Sequence, residues 1–325
     1  MDSEYSIKPL AFDGISTYPL ESRKSKVHSG MFGKPMDGSE NVLGFISKLP
    51  HILAGDSLRT LIRAVLYARS SGKPIIWGLG GHVIKVGLGP IINDMMQSGL
   101  VTGVAMNGSA AIHDFEVALR GTTSEEVEEQ IGQGRFGMAR ETGEYMNAGI
   151  EEAAAKGFGL GEGMGRFIAE GEKKGITFQH RPMSILAEAY RLKVPVTVHV
   201  AIGTDIIHAH PQTSGQALGE VTYYDFRLFC SMAQGLDGGG VYLNVGSAVV
   251  LPEVFLKAVS VIRNLGHHLE EFTTANLDFI QHYRPTQNVL KRPTQNSGQS
   301  IALTGHHEIM IPLIAAALKG SINTA

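Results

Sequence analysis

Apolar and polar positions along this chain follow two alternating rhythms. An apolar run at 74–77 opens into a turn rich in glycine (Gly78, Gly80, Gly81, Gly87 and Gly89), and a helical segment starts near Pro90. A second apolar run at 101–106 ends at Asn107-Gly108-Ser109. That turn feeds a helix carrying His113, Asp114 and Glu116. Two successive strand–turn–helix units predict a parallel α/β sheet. Both turns then lie at carboxyl ends of strands, where such sheets bind ligands. Glycine lets backbone N–H groups approach a ligand closely, which suits a nucleotide or dinucleotide. A strict G-x-G-x-x-G is absent, so ordinary tight turns of an α/β core are the alternative.

The rhythm continues along the chain. Residues 1–40 are polar and rich in Ser, Lys, Pro and Gly, and read as an arm packed on a neighbouring subunit. Residues 41–69 are helical by period, with Leu58, Leu61, Ile62 and Val65 on one face. The spacing Thr123-Ser124-Glu125-Glu126 predicts a capping box opening a helical stretch over 123–171. Glycines at 157, 159, 161, 163 and 165 break that stretch, as a lid or as a plain connection. Helices follow at 183–192, 225–234, 252–265 and 309–318. Strands are expected at 194–200, 240–243, within 271–279 and at 301–303. Residues 283–300 read as a long polar loop. Six or seven strands alternating with helices fit one doubly wound, mostly parallel sheet with helices on both faces, over 41–325.

Composition narrows the partners. The 325 residues are 43% hydrophobic with a formal net charge of −3, and the basic residues are scattered. Nucleic acid is therefore not an expected partner. No apolar run approaches a membrane span, and the expected location is cytoplasmic. The single cysteine, Cys230, stands in an apolar helical context and reads as a buried structural thiol.

Polar residues gather at the predicted strand ends: Asn107 and Ser109, His113 and Asp114, Thr204 and Asp205, Asn244 and Ser247, and His306 to Glu308. In a parallel sheet these ends share one edge, so they can meet in one cleft. His208 and His210, side by side if that segment is extended, invite a metal reading completed by Glu308, His113 or Asp205. A neutral histidine acting as acid or base is the reading we adopt, with no metal expected.

Four segments resemble the deoxyhypusine synthase family, NAD-dependent enzymes that transfer the aminobutyl group of spermidine to an amine. They are Gly78-Leu79-Gly80 with Val83-Ile84; residues 104–114 around Asn107-Gly108-Ser109; Pro195-Val196 with Gly203-Thr204-Asp205; and residues 240–247, ending Asn244-Val245-Gly246-Ser247. The resemblance implies a Rossmann-like fold of the deoxyhypusine synthase type, NAD as cofactor, an amine substrate and a homotetramer. It implies cofactor contacts from Gly78, Gly80, Asn107, Gly108, Ser109, Thr204, Gly246 and Ser247. Substrate contacts would come from Asp114, Glu116, His306 and Glu308, with His113 and Asp205 in catalysis. The family's covalent lysine follows a Trp-Gly pair. Here the only tryptophan is Trp77, and Lys291 stands in the matching region, with Lys85 and Lys257 as weaker alternatives. A lysine in that role needs a lowered pKa, which Arg292 would supply. Without a cleft lysine, the same fold would act on a different small molecule, or bind a nucleotide without catalysis.

Overall fold

The computed structural model describes residues 4–323. In chain order the elements are α1 (Val42–Lys48), α2 (Leu53–Ser70), β1 (Ile75–Leu79), α3 (Gly81–Lys85), α4 (Gly89–Gln97), β2 (Gly103–Asn107), α5 (Gly108–Arg120) and α6 (Val127–Ile131). Next come α7 (Arg140–Lys156), α8 (Leu160–Ala169), α9 (Ile185–Leu192), β3 (Val196–His199), α10 (Gly215–Gln234), β4 (Val241–Val245) and α11 (Val250–Asn264). The chain closes with β5 (Thr273–Asp278), the short α12 (Tyr283–Pro285) running into a π-helical turn (Thr286–Lys291), β6 (Gln299–Thr304) and α13 (His307–Asn323).

All six strands are parallel, in the order β3-β2-β1-β4-β5-β6. This is the doubly wound, Rossmann-like order, and its strand order reverses between β1 and β4. Trp77 lies in register with Val104 on one side and Leu243 on the other. Successive strand residues face opposite ways. Trp77, Val104, Met106 and Leu243 therefore enter one core, and Ile76, Ala105 and Tyr242 enter a second against α10 and α11. Strands buried on both faces read as continuous apolar runs, which is why β1, β2 and β4 are plain in the sequence.

Several local expectations change. Pro50 and its neighbours split the 41–69 helix into α1 and α2. No capping box opens at Thr123: Ser124 is left-handed, with φ 70°, and α6 starts at Val127 with no side-chain cap. The glycines at 161, 163 and 165 do not break the chain but lie inside α8. A Cβ at Gly161 would fall 2.0 Å from the Val196 carbonyl oxygen, and one at Gly165 2.5 Å from that of Leu186. Glycine thus lets α8 press its backbone on β3 and α9. The 283–300 loop contains a π-helical turn that buries Val289 and Leu290 against α11. Cys230 is half-buried, and burial raises its thiol pKa, which disfavours a nucleophile.

Candidate functional site

The carboxyl edge of the sheet divides into two halves around the first turn. On the β2–β3 side a cavity of about 570 Å³ is lined by Lys85, Ser109, His113, Glu116, Thr123, Thr204 and Asp205 among others. On the β4–β6 side lie Gly246, Ser247, Phe279, His82, His306 and His307. The two halves meet at Gly80 and Gly81. A Cβ on Gly80 would fall 2.0 Å from the Gly246 carbonyl oxygen, and one on Gly81 2.4 Å from Ser109 Oγ. Only glycine allows the β1 and β4 turns to close this tightly. Gly246 is itself left-handed, φ 66°.

α5 supplies most of the cavity's chemistry. Asn107 caps it, its side-chain oxygen accepting from Ala110 N at 2.9 Å. On a helix, residues three apart share a face, so His113 and Glu116 both reach the cavity. Thr123 Oγ1 donates to Glu116 Oε2 at 2.5 Å and lies 2.6 Å from His113 Nδ1. Thr142 Oγ1 donates to Glu116 Oε1 at 3.0 Å. Burial pushes the Glu116 carboxyl up, but the His113 ring 3.7 Å away and the hydrogen bonds from Thr123 and Thr142 outweigh it and leave the pKa below its usual value.

Asp205 meets the start of α5 from the β3 loop. A Cβ on Gly108 would fall 2.0 Å from Asp205 Oδ2. Among the described residues that oxygen has no hydrogen-bond partner; it is buried, 3.9 Å from the likewise unsatisfied His208 Nε2, and the side chain is 9% exposed. Burial, opposed by the charge of His113, raises the carboxyl pKa to about 6. An unpartnered buried carboxylate oxygen costs stability unless something arrives to pair with it. Carboxylates near this end of the sheet take ribose hydroxyls in dinucleotide folds, and ammonium groups pair with them equally well. The glycine-closed turn and this orphan oxygen fit a dinucleotide lying along the edge.

Other expected residues fall elsewhere. Gly78 lies within β1 rather than in the turn, and makes room for the Tyr242 hydroxyl, 2.5 Å from where its Cβ would stand. Asp114 is buried on the opposite face of α5, accepting from Ser184 Oγ, Ile185 N and Leu186 N at the start of α9; it does not reach the cavity. Ser247 is buried and holds the start of α11, accepting from Leu251 N at 3.3 Å. His306 and Glu308 are exposed at the start of α13, across the edge from the cavity. His208 sits in a 3-10 turn, not an extended segment; its Nδ1 accepts from Gly203 N, while His210 Nε2 donates to the Gly137 carbonyl. Among the described residues no group of three or more His, Cys, Asp or Glu side chains is placed to hold a metal ion. Lys291 ends the π-helical turn, exposed and outside the cavity lining, and Lys257 pairs with Glu253 on α11. Of the three lysines, Lys85 is the one at the cavity.

One histidine, His82, escaped the sequence reading, and His307 entered it only within the run His306 to Glu308. His307 is fully buried, its Nε2 donating to the Leu277 carbonyl, and its Nδ1 lies 2.8 Å from His82 Nδ1. Gly246 leaves space for the pair, since a Cβ there would lie 2.9 Å from His307 Cε1. The adjacent His306-His307 in sequence is the available signal. It points at the exposed residue as readily as at the buried one.

The architecture defines the chain as a Rossmann-like α/β protein, and comparisons with solved structures agree. It is similar to AgrE in its complex with ornithine and NAD+ (14% identity, TM-score 0.54), covering 82% of this chain and 33% of that one. It is similar to ArgZ, an arginine dihydrolase of the cyanobacterial ornithine–ammonia cycle (15% identity, TM-score 0.50), covering 83% and 33%. A protein from Entamoeba histolytica, provisionally named a deoxyhypusine synthase, aligns over 88% of this chain and 95% of its own at 11% identity, TM-score 0.48. The chain spans about a third of the length of AgrE and ArgZ. No protein-family model and no curated protein sequence matches it. No described helix is long and apolar enough to cross a membrane.

Proposed function

We propose that this protein is an NAD-dependent enzyme that oxidises a small amine, a polyamine or a molecule like it, held in the cavity beside α5. The observation that carries this reading is Asp205 Oδ2, a buried carboxylate oxygen with no hydrogen-bond partner among the described residues, in a cavity that also holds Glu116 and His113. Such a cavity favours a cation. Gly80, Gly108 and Gly246 would let the dinucleotide lie against the edge, with Ser109 and Thr204 within its reach. The dinucleotide, when bound, accepts a hydride. Asp205 would hold the ammonium end of the substrate and His113 would manage its proton.

Whether an aminoalkyl group is then transferred depends on a lysine nucleophile. Lys291, the lysine expected in that role, does not line the cavity, and Lys85 is the lysine that does. Simple oxidation without a lysine intermediate is therefore the form we favour. The resemblance to deoxyhypusine synthases supports a homotetramer, and exposed apolar side chains along the arm, among them Ile7, Leu10, Phe12 and Ile15, suit burial on a second copy of the chain. The test is calorimetric titration with NAD+, followed by NADH formation with spermidine as the probe amine. Binding near one per chain with turnover supports the reading, and no binding sinks it. Borohydride trapping of a spermidine-derived adduct, lost in Lys85→Ala but not in Lys291→Ala, would restore the transfer form.

A further inference from the structure

Glu116 stands in the cavity, but both its oxygens already accept hydrogen bonds, from Thr123 and Thr142. It has less to offer a ligand than Asp205. Its geometry serves a neighbour instead. The Thr123 hydroxyl has one proton, and the carboxylate of Glu116 can only accept it. The oxygen of Thr123 must therefore accept from His113, so the His113 proton sits on Nδ1. The ring's other nitrogen, Nε2, has no hydrogen-bond partner among the described residues, and its neighbour Cδ2 lies 3.2 Å from where a Cβ on Gly81 would stand. The lone pair of Nε2 is thus left on the side of the glycine turn.

The backbone supports this arrangement. Thr123 is followed by Ser124 at φ 70°. A non-glycine side chain rarely adopts that conformation, which is strained. No helix cap explains it. It turns the chain so that Thr123 faces back onto α5, between His113 and Glu116.

We infer that Thr123 and Glu116 are positioning residues that hold His113 as the Nδ1–H tautomer, and that His113 Nε2 takes the proton from the bound ammonium. This rests on the amine reading above. A protonated amine has no lone pair to expel a hydride from its neighbouring carbon, so the nitrogen must first lose its proton. That proton passes to Nε2, giving a free amine and an imidazolium. The imidazolium charge lies 3.7 Å from Glu116 Oε2, measured from Nδ1. Glu116 stays ionised because its carboxyl pKa is held low. Asp205, Glu125, Glu141, Lys85 and Arg120 are the other charged groups of the same cavity that set its field.

The experiment uses the full chain labelled with ¹⁵N-histidine, with long-range ¹H–¹⁵N spectra recorded without ligand. His113 is expected as Nδ1–H with a bare Nε2. Thr123→Val and Glu116→Gln should shift it toward a mixture, and Thr123→Ser should restore it. In NADH formation with spermidine, Thr123→Val should lower kcat by tenfold or more with KM little changed, and Thr123→Ser should recover most of the rate. A wild-type His113 carrying its proton on Nε2, or a tautomer indifferent to Thr123→Val, overturns the inference. If the tautomer is as expected but neither NAD+ nor spermidine is bound, the tautomer assignment stands, while the oxidation reading falls and takes the proton transfer with it.

Discussion

Asp205→Asn tests the central residue without needing the substrate. Burial moves the Asp205 carboxyl from its ordinary 3.8 to about 6. The ionised form is therefore costlier in the folded chain than in the unfolded one, by about 3 kcal/mol at 1.36 kcal/mol per pH unit. The sign is that of a raised carboxyl. Below pH 4 both states are protonated and the group contributes nothing. Between pH 4 and 6 the unfolded chain ionises first, so stability falls as pH rises, and above pH 6 the loss is complete. Asparagine does not titrate. Its amide would leave one buried donor unpaired where Oδ2 now stands, at about 1–2 kcal/mol. The net expectation is a variant about 1–2 kcal/mol more stable than wild type at pH 7–8, with the advantage gone near pH 4. Urea unfolding across this range measures it. A variant less stable than wild type at pH 8, or a difference that ignores pH, would refute the claim that this carboxylate is held ionised at the fold's expense. The same group makes amine binding pH-dependent: spermidine affinity should fall about tenfold from pH 7 to pH 5 as the carboxylate is protonated.

Other perturbations separate site from scaffold. Gly108→Ala places a methyl 2.0 Å from Asp205 Oδ2, the far end of a movable side chain; the protein should fold, and calorimetry should show spermidine binding weakened at least tenfold. Asp225, buried in α10, accepts from Gly161 N at 2.9 Å and Val198 N at 2.7 Å. Asp225→Ala strands both donors and should cost about 2–5 kcal/mol in urea unfolding. Deleting residues 1–40 should lower the assembly mass seen by light scattering, while NAD+ binding per chain should survive if the arm serves assembly alone.

The sheet was legible because its central strands are apolar on both faces, and the helices because their periods are long. What escaped were features set by contact rather than pattern. The five-residue α3 is too short to show a period. The π-helical turn hides behind Pro285 and Pro293. In α8, glycines that signal a break locally exist for backbone contacts with β3 and α9, partners distant in sequence. Of the candidate site, what was legible is which loops meet: Ser109, His113, Glu116, Thr204 and Asp205 share the cavity. Thr123 was misread because Thr-x-x-Glu is also a capping-box spacing, and only the left-handed Ser124 decides between the two uses.

The contrast between Asp114 and its neighbours shows how far helical geometry divides chemistry. One residue on α5 turns the side chain by about 100°, so Asp114 cannot share the cavity with both His113 and Glu116. It looks into the core and accepts three donors at the start of α9. Its pKa is also raised to about 6, first by burial, with hydrogen bonds from Ser184, Ile185 and Leu186 pulling it back. Two carboxyls at similar pKa thus differ in what they lack. Asp114 has its donors and acts as a tether between α5 and α9. Asp205 has an oxygen with none. A raised pKa alone does not set Asp205 apart, and neither does an unpaired oxygen, since Asp225 Oδ1 is also buried without a hydrogen-bond partner among the described residues; of the three acids, Asp205 is the one that lines the cavity.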